Sequence, residues 1–384
     1  MTVTTPRGFR AAGISVGLKT SGAPDLALVV NDGPERVSAS VYTANRAQAN
    51  SILWSKAAKV SAARAIILNS GGANCFTGEF GYDTARLTAE AVAHELRCDR
   101  LEVQVASTGL IGYGGQEFRD RIVGNVPALV TALSADDTSA PKAILTTDTV
   151  EKTAQYVHPA GWSIGGMAKG AGMLAPGLAT MLVVLTTDAS LSAADLDAAL
   201  RESTRVSFDR LDSDGCMSTN DHVALFANGA SGVAADAAEF RRALTEVCDS
   251  LARQLQADAE GASHTIDIRV TGAASETEAV TVARSVARNN LFKTAIYGND
   301  PNWGRVLAAI GTTDAKFDPY RVDVSFNGVR LCHAGAPDRP MNECDLTPEH
   351  TDVLIELHSG AHEATLRTND LTTEYVHENS AYSS

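Results

Sequence analysis

Thr180 heads an apolar run, Met181-Leu182-Val183-Val184-Leu185, and follows Ala179 and the turn-forming pair Pro176-Gly177. Two readings of it stand side by side. One is a β-branched residue opening a strand, a place that pleated backbone favours. The other is an N-terminal nucleophile released by cleavage of the Ala179–Thr180 bond. A freed α-amine has an ordinary pKa of about 7.7–8.0, so it can take the proton of its own hydroxyl near neutral pH without a histidine. One residue would then supply nucleophile and base.

Upstream lies Gly165-Gly166-Met167-Ala168-Lys169-Gly170-Ala171-Gly172-Met173, a glycine-rich stretch with a single lysine. A phosphate loop needs Gly-Lys-[Ser/Thr] opening a helix, whereas here Lys169 precedes Gly170 and a strand-like run follows. The stretch 161–176 reads as a loop, and a turn carrying a solvated lysine is its plain interpretation. Glu260 stands just before Gly261 and next but one to Asp258, at the end of an apolar helical stripe. A carboxylate at a helix C-terminus opposes the macrodipole by ~0.3–1 kcal/mol. A frayed, solvated end tolerates that; a carboxylate held to meet a cationic substrate is the alternative.

Other chemistries fail on spacing. Asp212 and Asp214 before Gly215 mimic part of a calcium loop, but Arg210 and Asp221 occupy its first and twelfth positions. Cys332-His333 with Cys344 and His350 does not match structural zinc spacing. No Gly-x-Ser-x-Gly elbow frames a hydrolase serine. No metal is expected.

These residues must be positioned by a mixed framework. Leu26–Val30, Ala65–Leu68, Val103–Ala106 and Met181–Leu185 read as buried strands, and Asn327-Gly328 between alternating apolar residues predicts a hairpin. Helical stripes run through Ala85, Ala89, Val92 and Leu96 after Asp83, and through Leu196, Ala199 and Leu200 after the capping box at Ser192. Two more run through Phe240, Leu244, Val247, Leu251 and Leu255 after Asp236, and through Ala279, Val282, Ala283 and Val286 after Ser275. Layered α/β architecture with mixed sheets follows, rather than a purely parallel doubly wound sheet.

Composition narrows the function. The 384 residues allow two medium domains or one large one, and 44% hydrophobic with 20% charged residues is ordinary for a globular chain. Thirty-two Lys and Arg against 46 Asp and Glu give a net charge of −14, with no basic stripe, which disfavours nucleic acid as a partner. The six cysteines are scattered without a CxxC pair and read as reduced thiols. No leader and no membrane-length apolar run is visible, so a soluble, cytoplasmic protein without membrane partners is expected.

The run Lys169-Gly170-Ala171-Gly172-Met173-Leu174-Ala175-Pro176, with Ala179-Thr180-Met181-Leu182 and Thr186-Thr187-Asp188-Ala189, closely resembles the ornithine acetyltransferase (glutamate N-acetyltransferase) family of arginine biosynthesis. Supporting motifs span the chain: Asn69-Ser70-Gly71-Gly72-Ala73-Asn74, Ser107-Thr108-Gly109, Thr146-Thr147-Asp148, Ser218-Thr219-Asn220-Asp221, Gln256–Gly261, Gly298–Gly304 and Glu378–Ser384. After Gly261, Ala262-Ser263-His264 departs from the pattern. The resemblance implies a two-part αββα-layered fold of the ornithine acetyltransferase and DmpA-like kind. It implies a precursor that cuts itself at Ala179–Thr180 into an α chain, residues 1–179, and a β chain, residues 180–384, associating as α2β2. Thr180 would carry acetyl from N2-acetyl-L-ornithine to L-glutamate in a ping-pong cycle, yielding L-ornithine and N-acetyl-L-glutamate without a cofactor.

By the same resemblance Thr108 and Gly109 form the oxyanion hole, and Thr146, Lys169, Thr180, Glu260, Asn379 and Ser384 bind substrate. Lys169 suits the substrate α-carboxylate, Glu260 the δ-ammonium of ornithine, and the C-terminal tail would be ordered. Three further readings remain: an additional use of acetyl-CoA as acetyl donor, an autoprocessed amidohydrolase or aminopeptidase, and an uncleaved amino-acid-binding regulator.

Overall fold

Apolar runs too long to alternate with polar residues belong in strands covered on both faces, and six strands of this chain are buried along their whole length in this way. The computed structural model describes residues 3–175 and 181–381, which divide into two compact units. Unit 1 comprises residues 1–171, 177–209 and 217–255; unit 2 comprises 172–176, 210–216 and 256–384.

Unit 1 holds β1 (Phe9–Ile14), β2 (Leu26–Asn31), β3 (Val37–Tyr42), β4 (Ala65–Ser70), β5 (Val103–Thr108), β6 (Lys152–Val157), β7 (Ser163–Lys169), β8 (Leu182–Thr187) and β9 (His222–Ala227). They make two mixed sheets, ordered β1-β2-β4-β5 and β3-β9-β8-β7-β6. In the first, Leu26, Leu28 and Val30 point to one face with Ile67, Val103 and Val105; Ala27 and Val29 point to the other with Ile66, Leu68 and Ala106. The first face is covered by α2 (Gly78–Leu96) and α3 (Gln116–Thr131), which follow the short α1 (Asn50–Ala57). The second face packs on Met167, Leu182, Val184, Ala224 and Phe226 of the other sheet. After the single turn α4 (Ala140–Ala143), α5 (Ala193–Val206) and α6 (Ala237–Ala257) cover that sheet's outer side, with Phe240 of α6 against Trp162 and α5 against β3. Unit 1 is therefore an αββα sandwich.

Unit 2 has one mixed sheet, β13-β12-β11-β14-β10-β15, built from β10 (Thr265–Ala273), β11 (Asp323–Phe326), β12 (Val329–His333), β13 (Ala336–Pro337), β14 (His350–Glu356) and β15 (His362–Asn369). Ile266, Ile268, Val324, Phe326, Val353 and Ile355 share a core with α7 (Glu276–Ala287), α8 (Asn290–Tyr297) and α9 (Trp303–Ile310); α10 (Thr373–Ala381) ends the described chain. The hairpin forms as expected, with Asn327 and Gly328 both at positive φ, 45° and 79°, which a type I′ turn requires. Ser192, Asp236 and Ser275 each accept a backbone N–H at the start of α5, α6 and α7. The first stripe differs: α2 begins at Gly78, so Asp83 lies inside it.

One expectation is overturned. Residues 161–176 are not a loop throughout, because Ser163–Lys169 is β7, fully buried between β6 and β8. Gly166 is there for space, since a Cβ on it would meet Leu185 Cδ2 at 2.9 Å and Leu251 Cδ1 at 3.1 Å. Gly166→Val should overpack this layer and cost ~1–3 kcal/mol, read as a lower thermal unfolding midpoint; an unchanged midpoint would contradict the packing.

Candidate active site

Two of the sequence motifs meet at the edge of unit 1. Asn69 Nδ2 donates to Gly72 O at 2.9 Å and Gly72 N to Thr108 O at 3.0 Å, so the 69–74 turn folds against the end of β5. Asn220 Nδ2 braces both, donating to Ala73 O at 2.6 Å and Ser107 O at 2.8 Å. Gly109 must be glycine: its φ is +130°, and a Cβ would stand 2.4 Å from Gly72 N. Thr108 is 1% exposed, and among the described residues its hydroxyl has no hydrogen-bond partner. A buried, unspent donor beside a glycine is what an oxyanion needs, although the same pair would also suit a bound water.

Thr146 and Lys169 are also brought together. Lys169 Nζ donates to Thr146 Oγ1 at 2.6 Å and lies 3.4 Å from Asp148 Oδ2. Lys152 Nζ reaches Asp148 Oδ1 at 2.7 Å, and the Asp148 carboxylate also accepts from the N–H groups of Thr146 and Gly170. Lys169 is 1% exposed, so the solvated-lysine interpretation is wrong; it ends a buried strand. Burial alone would raise the Asp148 carboxyl, but Lys169 and then Lys152 outweigh it and hold the group well below the ordinary carboxylate range. Lys152 was missed in the sequence, where nothing but its strand position separates it from surface lysines.

Glu260 and Asn379 meet in unit 2. The helix ends at Ala257, so Glu260 sits in the following turn rather than at the helix terminus, and the macrodipole conflict does not arise. Gly261, at φ +60°, allows α10 to approach; a Cβ there would stand 2.3 Å from Tyr375 N. Thr372 Oγ1 donates to Gly261 O at 2.5 Å and accepts from Tyr375 N at 2.9 Å, capping α10. One face of α10 then delivers Asn379 Nδ2 to Glu260 Oε2 at 3.1 Å. Gly172 leaves room for that carboxylate, because a Cβ would meet Glu260 Oε2 at 2.4 Å. The departure at Ala262-Ser263-His264 is structural: His264 is buried and holds Asp370 at 2.9 Å and Leu346 O at 3.0 Å. Ala179, Thr180 and Ser384 lie outside the described residues. No helix among the described residues is long and apolar enough to cross a membrane, and all six cysteines are free.

Because the folded Asp148 carboxyl is more acidic than its ordinary value of 3.8, its contribution is complete above that value and is lost as pH falls below it. Asp148→Asn should cost ~3–5 kcal/mol near pH 7, because it removes a negative charge that two buried lysines share. Between pH 4 and pH 2 the variant's unfolding midpoint should fall less than the parent's; parallel acid limbs would refute the assignment.

Residues 10–384 match the model of the ArgJ family. The arginine biosynthesis bifunctional protein ArgJ of Thermobifida fusca is 53% identical over the whole of both chains, and that of Streptomyces coelicolor is equally similar over the same extent. A solved structure of ornithine acetyltransferase from Mycobacterium tuberculosis, complexed with ornithine, is 43% identical over 47% of this chain and 96% of that one, with a TM-score of 0.44. With a family model spanning nearly every residue and relatives identical at half of all positions, the chain belongs to the ArgJ family, the ornithine acetyltransferases of arginine biosynthesis.

Proposed function

We propose that this chain is a glutamate N-acetyltransferase that moves acetyl from N2-acetyl-L-ornithine to L-glutamate through an acetyl ester on Thr180. The observation that carries the reading is 53% identity along the full length of an ArgJ protein. Thr180, freed by cleavage after Ala179, attacks the acetyl carbonyl, and its own α-amine takes the hydroxyl proton. The Thr108 hydroxyl and the Gly109 N–H receive the charge that builds on the carbonyl oxygen. Ornithine leaves with the proton, glutamate's amine attacks the ester, and Thr180 is regenerated. One amide replaces a similar amide, so no external energy source or cofactor enters.

In this reading Lys169 pairs with the substrate α-carboxylate, and Glu260, oriented by Asn379, accepts the δ-ammonium of ornithine. Thr146 orients Lys169, and Ser384 completes the binding set. The two chains, residues 1–179 and 180–384, stay associated as α2β2 in the cytoplasm. A second activity, acetylation of glutamate by acetyl-CoA, is favoured by one observation: the relatives carry the name bifunctional. N-acetylglutamate formed from glutamate and acetyl-CoA, with no acetylornithine present, would establish it.

Intact mass of the denatured protein tests the nucleophile: chains of ~19 and ~21 kDa are expected, in proportion to 179 of the 384 residues of a 40.2 kDa chain, the larger beginning Thr-Met-Leu-Val. Thr180→Ala should remain a single inactive chain, and separation of that variant into two pieces would place the cut elsewhere. Glu260→Gln should lower kcat/KM for acetylornithine by ~10–100-fold, the worth of a hydrogen bond to a charged group, while cleaving normally. Unchanged kinetics would remove Glu260 from the ammonium site.

A further inference from the structure

Self-cleavage needs a base before any α-amine exists at Thr180, and the end of the five-stranded sheet offers one. The strand register aligns Lys169, Leu182, His222 and Tyr42 across β7, β8, β9 and β3. The residues one step beyond that row, Met181, Asp221 and Thr43, are knitted together: Met181 N donates to Asp221 Oδ1 at 3.1 Å, and Thr43 N donates to Asp221 O at 3.1 Å. That first hydrogen bond comes from the peptide linking Thr180 to Met181, so the carboxyl is anchored one covalent step from Thr180. Asp221 is 0% exposed, and its second oxygen, Oδ2, has no hydrogen-bond partner among the described residues.

Resting on the reading of Thr180 above, we propose that Asp221 carries the proton in self-cleavage. Its carboxylate takes the Thr180 hydroxyl proton as that oxygen adds to the carbonyl carbon of Ala179. It returns the proton to the Thr180 nitrogen as the Ala179–Thr180 C–N bond breaks, which leaves an ester between Ala179 and the Thr180 oxygen. Water then adds to the ester carbonyl, the C–O bond breaks, and Ala179 departs as a carboxylic acid while Thr180 regains its hydroxyl. Asp221 ends as it began.

The surroundings suit this work. Burial raises the Asp221 carboxyl well above the ordinary carboxylate value; the Met181 N–H, the nearby Ser218 and Thr43 hydroxyls and the charge of Lys169 pull the other way without cancelling it. A carboxylate of raised pKa is a stronger base, and it ionises closer to neutral pH. Lys169 on β7 is the charged group acting on it. From β9 and β3, the next residue His222 turns its ring to Ser40 at 3.2 Å and packs at a tilt against Tyr42, and burial lowers it to about 3, so it stays neutral.

The test follows full-length precursor, made by cell-free translation between pH 5 and 9, by intact mass over time. Parent cleavage should rise with pH and then level. Asp221→Asn keeps an oxygen for the Met181 N–H but cannot shuttle a proton, so it should cleave ~10²–10⁴-fold more slowly with a flat pH profile. Asp221→Glu should recover cleavage that again depends on pH. An Asp221→Asn rate equal to the parent's overturns the proposal. So does an Asp221→Glu variant as slow and as pH-insensitive as Asp221→Asn, which would make the residue a structural anchor only. Failure of the parent to cleave, or cleavage of Thr180→Ala, would instead overturn the nucleophile itself.

Discussion

A carboxylate between two lysines, all three out of water, is the interaction on which the rest of unit 1's candidate site depends. Asp148 gathers the side chains of Lys152 and Lys169 and the N–H groups of Thr146 and Gly170 onto two oxygens. Burying three charges is costly, and the arrangement persists only because almost every lone pair meets a donor. The return is placement. Lys169 has few rotamers left once it is tied to both Thr146 and Asp148, so a cationic head is fixed at the end of β7 rather than sampling solvent.

That placement depends in turn on the layering. The end of β7 is defined because β7 is an interior strand, and Gly166 lets Leu251 and Val247 of α6 lie close to it. The same logic recurs in unit 2, where Gly261 and Gly172 clear room for Tyr375 and Glu260. Small residues here set how closely neighbouring segments approach, and the candidate side chains inherit their positions from those distances.

Much of this was legible in the sequence. Helix caps at Ser192, Asp236 and Ser275 and the Asn327-Gly328 turn are local events, governed by a few neighbouring residues, and they formed where those residues indicated. β7 was not legible: glycine-rich sequence signals turns, and only knowing that Leu185 and Leu251 press on it reveals a strand. The position of Glu260 was misjudged for a related reason, since α6 stops at Ala257 and α10, more than a hundred residues away, supplies the contact that holds the turn. Family motifs singled out Thr108, Gly109, Thr146, Lys169 and Asn379 as candidates, but what each touches came from the fold. Lys152 and the buried carboxyl of Asp221 were invisible to pattern, because burial, not residue type, gives them their properties.

The pairing of β7 with β8 has one more implication. Lys169 faces Leu182 and Ile164 faces Thr187 along an unbroken antiparallel ladder, and the bond between residues 179 and 180 lies in the connection joining these two strands. Cutting there would leave every rung between the two strands intact, so β7 and β8 would stay paired like the two sides of a closed zip. The first 179 residues made alone would display β7 as a naked edge, with a full row of main-chain donors and acceptors seeking a strand. In a single chain the partner strand is already attached when β7 forms, so that edge is covered by its own neighbour in sequence.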